Sequence, residues 1–306
     1  MQILEVYTGF VARCPTINQL NSVHIALDAT ITPLEIAELH AQLVDSSTYW
    51  DEARHGNTRV DPQRLRNTSC DWVKGRQLMC NMSLKRRPEP FHREEMLPTI
   101  TRFSNAEGPH GKWLVVVVCG NTFTPMVPTP AFLQALDARR VDMVLMRDFN
   151  RQGFRQGVGG ISDDILSSME RLPRILDFAA YDAVSFVGIS GGGMPSLIFG
   201  IGTGARSVVY VGGNAPTDPR WNASDGTNAR DLLLELAEGK AVPQIKLIFG
   251  RESKDRPAAE AIAALFPATL VEVTDEQLDV GHNSLHPLLL RGRLSAFLNK
   301  QIGLTD

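Results

Sequence analysis

A serine flanked by glycines, Ser190, stands in the stretch VGISGGG at 187–193, directly after the apolar run AVSFVG. Residues 188–192 have the form G-x-S-x-G, which is typical of the tight strand-to-helix turn that presents a nucleophilic serine. Side chains two positions before and after the serine would collide in such a turn, so glycine is expected at both places. The pattern predicts that Ser190 has a strained backbone and exposes its hydroxyl at the carboxyl end of a strand.

A nucleophilic serine needs a base, and after this type of turn the acid comes next along the chain and the histidine last. His282 follows the strand-like segment TLVEV and precedes the last helix-like segment, so its loop can hold the imidazole over Ser190. A metal site formed by His282 and His286 is the alternative, but two histidines alone make a weak metal site. We expect His286 to lie in the first turn of a helix.

The acid is sought in the loop RESKDRP, which follows the strand-like segment IKLIFG and offers Glu252 and Asp255. A carboxylate there can bond the second imidazole nitrogen, fix the tautomer and stabilise the protonated ring. We favour Asp255, because it lies deeper in the loop, directly before a helix-like segment. Glu252 could instead pair with a basic neighbour at the surface, and Asp218 is a third candidate.

An oxyanion formed at the serine would need two N–H donors. The N–H of Gly191 lies at the start of the next helix, where the helix dipole favours negative charge. The second donor is expected from the loop CGNTFTPMVPTP after the run WLVVVV, where Gly120 allows a sharp turn and Asn121 or Thr122 can supply the N–H. An ordinary strand-to-helix turn is the alternative for this loop.

Two other classes of protein compete with the serine enzyme. A dinucleotide-binding protein would need G-x-G-x-x-G and an acidic residue about 20 residues later, and the segment after Ser190 has neither. A non-catalytic interaction protein of the same fold is the other alternative. The complete serine, acid and histidine set, in the expected order, favours the enzyme.

The elements that must position these residues begin at Trp113. Six strand-like runs alternate there with amphipathic segments, which predicts an open α/β sheet. We expect an interruption or kink at Pro173 and one closing helix over 285–301. The first 85 residues show weak periodicity, apart from a capped amphipathic helix over 32–43. We expect them to form an N-terminal extension packed on a catalytic domain at 86–306.

Composition narrows the function further. The 306-residue chain has a formal net charge of −3, which gives no electrostatic reason to bind nucleic acid. Its longest apolar runs are too short to span a bilayer, and the first residues lack a signal-peptide pattern. The four cysteines match no zinc spacing. We therefore expect a cytoplasmic protein with reduced thiols and with no metal or organic cofactor.

Taken together, these residues resemble the α/β-hydrolase superfamily over roughly 85–306. The resemblance implies the α/β-hydrolase fold, with a mostly parallel central sheet and helices on both faces. It makes Ser190 the nucleophile, His282 the base and Asp255 the acid, with Gly191 and Asn121 at the oxyanion. The chain lacks the HGG oxyanion motif of common esterases and has no evident long cap insertion between strands.

The resemblance also implies a substrate class. It predicts an esterase-like hydrolase that acts on a small-molecule or glycoconjugate acyl substrate through an acyl-enzyme. The stretches GHNSLHPLLL and RDFNRQGFRQGVGG are similar to a bacterial branch associated with glycoconjugate modification and accessory-secretion acyltransferases. Acyl transfer to a sugar or other hydroxyl is therefore the alternative to hydrolysis.

Overall fold

The computed structural model describes residues 91–121, 123–127, 129–221, 228–251, 253–277 and 280–304. Several predictions of the sequence analysis lie outside these residues. They concern the extension at 1–85 with its helix at 32–43, three of the cysteines, the alternative acid Glu252 and the alternative donor Thr122.

An eight-stranded sheet dominates the described part of the chain, with strand order β1-β2-β4-β3-β5-β6-β7-β8. The strands are β1 His92–Leu97, β2 Ile100–Ser104, β3 Trp113–Val118, β4 Val141–Met146, β5 Ala183–Ile189, β6 Ser207–Val211, β7 Gln244–Gly250 and β8 Ala268–Val273. Strands β3 to β8 are parallel to one another. Strand β2 is antiparallel to β4, and the edge strand β1 is antiparallel to β2, so β1 runs in the same direction as β3 to β8.

The helices of the described residues connect successive parallel strands and close the chain. They are α1 Thr129–Gln134, α2 Ile165–Ile175, α3 Gly193–Gly202, α4 Ala229–Ala237, α5 Arg256–Ala263, α6 Leu285–Leu290 and α7 Leu294–Ile302, with 3₁₀ turns at Phe178–Ala180, Ser190–Gly192 and Pro219–Trp221. None of the helices that the structure describes has the length and hydropathy needed to cross a bilayer.

Strand β6 shows that helices cover both faces of the sheet. Because side chains alternate along a strand, Ser207 faces one side and Val208 the other. The Ser207 hydroxyl donates to the carbonyl of Ile302 in α7. On the opposite face, a Cβ added at Gly200 of α3 would lie 2.3 Å from a Val208 methyl.

The central strands are apolar along their whole length because both faces are covered. Leu114 to Val118 of β3 are all fully buried, and β4 is buried at every position. Continuous β-branched runs are the expected pattern for such strands. The predicted α/β-hydrolase fold, with its mostly parallel sheet and helices on both faces, is confirmed for the described residues.

Three details differ from the sequence-based expectation. The sequence patterns predicted six strands, which are β3 to β8, and did not indicate β1 and β2. Both carry charged residues, and β1 lies at the sheet edge with much of its surface exposed, so neither has a strong apolar signal. The closing helix is two helices, because Gly292 has φ +65° and ends the first. Helix α2 continues through Pro173 to Ile175 instead of breaking there.

Candidate active site

Ser190 lies in the turn that joins β5 to α3 and begins the 3₁₀ turn Ser190–Gly192. Its φ is +51°, in the left-handed region that non-glycine residues rarely adopt. The expected strained turn is therefore present. Such strain is stored where the surrounding structure holds the backbone in place, and it occurs preferentially at functional sites.

The glycines around Ser190 are required by close backbone approach. A Cβ at Gly188 would lie 2.1 Å from the Ser196 hydroxyl, and one at Gly192 would lie 2.0 Å from the Val118 carbonyl oxygen on β3. These distances confirm that positions 188 and 192 leave no room for a side chain. Gly191 differs, because the nearest described atom to an added Cβ would be Asn121 Oδ1 at 3.6 Å, an ordinary contact.

The structure brings Ser190, His282 and Asp255 together at the carboxyl edge of the sheet. His282 Nε2 lies 2.9 Å from Ser190 Oγ, and His282 Nδ1 lies 2.9 Å from Asp255 Oδ2. The three residues come from the loops after β5, β7 and β8, which meet at one edge because these strands are parallel. The arrangement can move a proton from the hydroxyl to the imidazole while the carboxylate orients the ring.

Backbone packing places the histidine loop. Gly250, the last residue of β7, lies so close to this loop that an added Cβ would be 2.1 Å from the Val280 carbonyl oxygen and 2.3 Å from that of Gly281. Any larger residue at 250 would push the loop away. His282 follows directly and keeps its distance to Asp255 as a result.

Asp255 also sets the electrostatics of the histidine. The hydrogen bond that Asp255 accepts from His282 raises the pKa of His282, partial burial opposes the rise, and the negative charge of the carboxylate adds to it. With Nδ1–H donating to Asp255, the neutral ring presents its Nε2 lone pair to the Ser190 hydroxyl. This is the tautomer that a general base at this place requires.

The loop after β3 lies directly against the serine turn. A Cβ at Gly120 would be 2.6 Å from the Ile189 carbonyl oxygen and 2.9 Å from both Ser190 Cβ and Gly191 N. Glycine therefore permits the approach, and it carries the exposed Asn121 to a place beside Gly191. This is the neighbourhood expected for a second oxyanion donor.

Backbone strain collects in the loops around the serine. Six non-glycine residues in the described ranges have a positive φ. Five of them follow β3, β4 or β5 at the serine's edge of the sheet: Phe123, Met126, Arg151, Phe154 and Ser190. Concentration of left-handed residues in one set of loops is a mark of a functional site that is independent of the serine motif.

Two aromatic residues lie in the loops after β3 and β4. Phe123 and Phe149 meet edge to face with ring centroids 5.0 Å apart, and the guanidinium groups of Arg151 and Arg147 lie 5.8 Å from these two rings. Phe149 keeps 40% of its surface exposed. An exposed aromatic side chain provides an apolar surface at the same edge of the sheet as the serine.

Two candidates of the sequence analysis lie apart from the cluster. The carboxylate of Asp218 binds the Arg220 side chain and the Asn214 amide, whereas the described bond of His282 Nδ1 is to Asp255. His286 is an exposed residue in the first turn of α6, as predicted. Among the described residues, no group of three metal-ligating side chains is present.

Gly212, which closes one side of the Asp255–His282 pair, was not predicted from the sequence. Its φ is +58°, and a Cβ there would lie 3.0 Å from Asp255 Oδ2 and 3.2 Å from His282 Cε1. The pair of glycines that follows β6, Gly212 and Gly213, was the available signal. Paired glycines directly after a strand indicate close backbone approach.

Comparison with known proteins gives structural neighbours only. No protein-family model matches the chain, and no curated protein matches it. The chain is similar in structure to esterase B of Lactobacillus rhamnosis in a phosphonate-inhibited form, with 13% identity, a TM-score of 0.42, and 79% of this chain and 98% of that chain covered. It is also similar to an esterase of Pyrobaculum calidifontis, with 12% identity, a TM-score of 0.45, and 78% and 92% covered.

A third neighbour is a protein of Xanthomonas campestris described as an α/β serine hydrolase without lid. It has 15% identity and a TM-score of 0.42, with 72% of this chain and 99% of that chain covered. Any functional conclusion for this chain therefore comes from the geometry of its own residues.

Proposed function

We propose that the chain is a serine hydrolase that cleaves carboxylic esters through an acyl-enzyme. The observation that carries the proposal is the 2.9 Å approach of His282 Nε2 to the hydroxyl of Ser190, a residue held at φ +51°. A strained serine in hydrogen-bond contact with a carboxylate-oriented imidazole is the arrangement of an activated nucleophile.

The first half of the reaction acylates the serine. Ser190 Oγ attacks the ester carbonyl carbon while its proton moves to His282 Nε2, and Asp255 stabilises the imidazolium that forms. The carbonyl oxygen becomes an oxyanion, which we assign to the backbone N–H groups of Gly191 and Asn121. When the tetrahedral intermediate collapses, the C–O bond to the alcohol breaks and His282 returns the proton to the leaving alkoxide.

The second half releases the acid. His282 Nε2 takes a proton from water, the resulting hydroxide attacks the acyl carbonyl, and collapse returns the proton to Ser190 Oγ. The net change is ester plus water to carboxylic acid plus alcohol. All bond changes are accounted for by the three side chains, the substrate and one water molecule, so the scheme requires no cofactor or metal.

Solvent access favours water over another hydroxyl as the acceptor. The His282 side chain keeps 53% of its surface exposed, so water can reach the base of the deacylation step. An acyltransferase must exclude water from this step. The two outcomes are distinguished by adding a sugar or glycerol as a competing acceptor and measuring both the free acid and the transferred ester. Predominant transfer would make the chain an acyltransferase.

The proposal is tested with a fluorophosphonate probe and with p-nitrophenyl esters of short acyl chains. Wild type is expected to gain one probe adduct by intact-mass measurement and to hydrolyse the esters. Ser190→Ala loses both properties. Ser167→Ala, which changes a half-buried serine on α2, retains them.

A histidine pair provides a second matched comparison. His282→Ala is expected to slow labelling by orders of magnitude, and His286→Ala, four residues later on the exposed side of α6, leaves it unchanged. A wild-type protein that neither reacts with the probe nor cleaves any of the esters would overturn the proposed function. Labelling that survives in Ser190→Ala would place the nucleophile elsewhere.

A further inference from the structure

Tyr210, which the reaction scheme does not use, lies directly beneath the site. It is the fourth residue of β6, is 1% exposed, and is the largest of the fully buried side chains among the described residues. Burial raises the pKa of its phenol, and the charges of Asp255 and Asp218 raise it further. The phenol therefore stays protonated and acts as a hydrogen-bond donor.

The ring of Tyr210 packs against two backbone segments that carry the site. An added Cβ at Gly193, the first residue of α3 and the end of the serine turn, would lie 2.5 Å from the ring. An added Cβ at Gly213 would lie 2.2 Å from the ring. Both contacts are possible only because these residues lack side chains, so one ring contacts both segments.

The hydroxyl of Tyr210 fastens the second segment. It donates a hydrogen bond to the backbone carbonyl oxygen of Asn214. Gly212, at the other end of this three-residue segment, is the residue that closes one side of the Asp255–His282 pair. A displacement of residues 212–214 would thus shift the carboxylate of Asp255 and the imidazole of His282.

We propose that Tyr210 is a positioning residue, whose ring sets the spacing between the serine turn and the segment 212–214 and whose hydroxyl holds that segment against Asp255 and His282. This inference rests on the proposed function. It adds that the position of Ser190 relative to His282 depends on the buried side chain of Tyr210, which contacts both segments.

Tyr210→Phe tests the role of the hydroxyl because it keeps the ring and removes the donor. Tyr181→Phe is the matched control, since the Tyr181 hydroxyl donates to Asp142 Oδ2 at the other end of the sheet, next to the start of β5. Each variant loses one hydrogen bond from a tyrosine hydroxyl. Only Tyr210→Phe removes a bond that reaches the active-site segment.

Two measurements separate positioning from general stability. The first is ester hydrolysis, in which Tyr210→Phe should lower kcat about 10- to 100-fold with little change in KM, the effect of misplacing reacting groups. The second is an NMR titration of the His282 imidazole, assigned by comparison with His282→Ala, which needs no enzymatic activity. Its pKa should fall toward the ordinary histidine value in Tyr210→Phe and stay raised in Tyr181→Phe.

The outcomes are distinguishable. If Tyr210→Phe loses thermal stability as Tyr181→Phe does, while kcat and the pKa of His282 match wild type, Tyr210 is only structural and the inference is wrong. If the wild type hydrolyses no ester, the proposed function fails. In that case an unchanged pKa of His282 would overturn the positioning role as well, whereas a lowered pKa would support it for whatever reaction the site performs.

Discussion

The carboxylate of Asp255 faces the imidazole of His282, with 2.9 Å between Oδ2 and Nδ1, although Asp255 occupies the N-cap position of α5. An aspartate at that position normally accepts a hydrogen bond from the first turn of its helix, which is worth about 1 kcal/mol. Within the described residues the Asp255 side chain makes no such capping bond. The Asp255 side chain thus lacks the stabilising capping bond and instead accepts a hydrogen bond from the histidine.

Asp255→Asn should lower kcat/KM for ester hydrolysis by about four orders of magnitude, because the amide no longer fixes the histidine tautomer or stabilises its protonated form. The measurement is the initial rate with a p-nitrophenyl ester. Asp137→Asn is the control, since Asp137 binds Arg139 in the turn before β4, at the end of the sheet opposite Ser190. Similar losses in the two variants would remove Asp255 from the site.

Activity should rise with pH as His282 loses its proton, and the midpoint should lie above the ordinary histidine pKa of about 6.5. The reason is that Asp255 raises the pKa of His282. The kcat/KM profile of wild type gives this midpoint, and in Asp255→Asn the residual activity should have its midpoint at lower pH. A midpoint that does not move in Asp255→Asn would contradict the assignment.

The same raised pKa has a consequence for folding. A histidine whose pKa is higher in the folded state stabilises the fold below its unfolded pKa, and this contribution disappears as the pH rises through the folded pKa. The free energy of unfolding of wild type minus that of His282→Ala should therefore be larger near pH 5 than near pH 9. These two pH values lie on the order of one pH unit or more below and above the titration of the histidine. Denaturant unfolding at the two pH values measures it, and a difference of the opposite sign would contradict the prediction.

Gly192→Ala should prevent folding or destabilise the protein by about 1–3 kcal/mol or more, the cost of overpacking a site without room. The added methyl would lie 2.0 Å from the carbonyl oxygen of Val118, the last residue of the buried strand β3. Gly191→Ala is the matched control, with its nearest described atom at 3.6 Å. Thermal unfolding of the two variants should differ clearly, and equal stability would show that the turn can rearrange.

Ser190→Gly should be more stable than Ser190→Ala by about 1 kcal/mol, because only glycine adopts a positive φ without a steric penalty. Both variants lack the hydroxyl, so the comparison isolates the strain at φ +51°. Thermal or denaturant unfolding provides the measurement. Equal stabilities would indicate that the turn relaxes once the hydroxyl is absent.

The buried ion pair of Lys112 and Asp142 should matter for stability and not for chemistry. Nζ and Oδ1 lie 3.1 Å apart, and both side chains are 2% exposed. Lys112→Met should cost about 3–5 kcal/mol, because it leaves a buried carboxylate without its cation. The labelling rate of the folded protein with a fluorophosphonate should stay at the wild-type value, since Lys112 lies before β3, at the end of the sheet opposite Ser190. A large change in labelling rate would show coupling between the two ends.

The sequence determined the elements that have strong local signals. Runs rich in apolar residues identified β3 to β6, since strands buried on both faces contain few polar residues. The glycine pattern identified the turn at Ser190, because the steric demand of that turn acts within five residues. Chain order then indicated His282 and Asp255, as the loops after parallel strands must meet at one edge.

The tertiary structure decided what depends on contacts between distant segments. Strands β1 and β2 carry charged residues and become strands only by pairing, β2 with β4 and β1 with β2, so local patterns could not reveal them. Asp255 reaches His282 because the backbone of Gly250 packs against the loop before the histidine, and the proximity of Gly212 to this pair follows from the same packing. Such distances are set by the fit of several strand ends at once, and no single segment of the sequence encodes them.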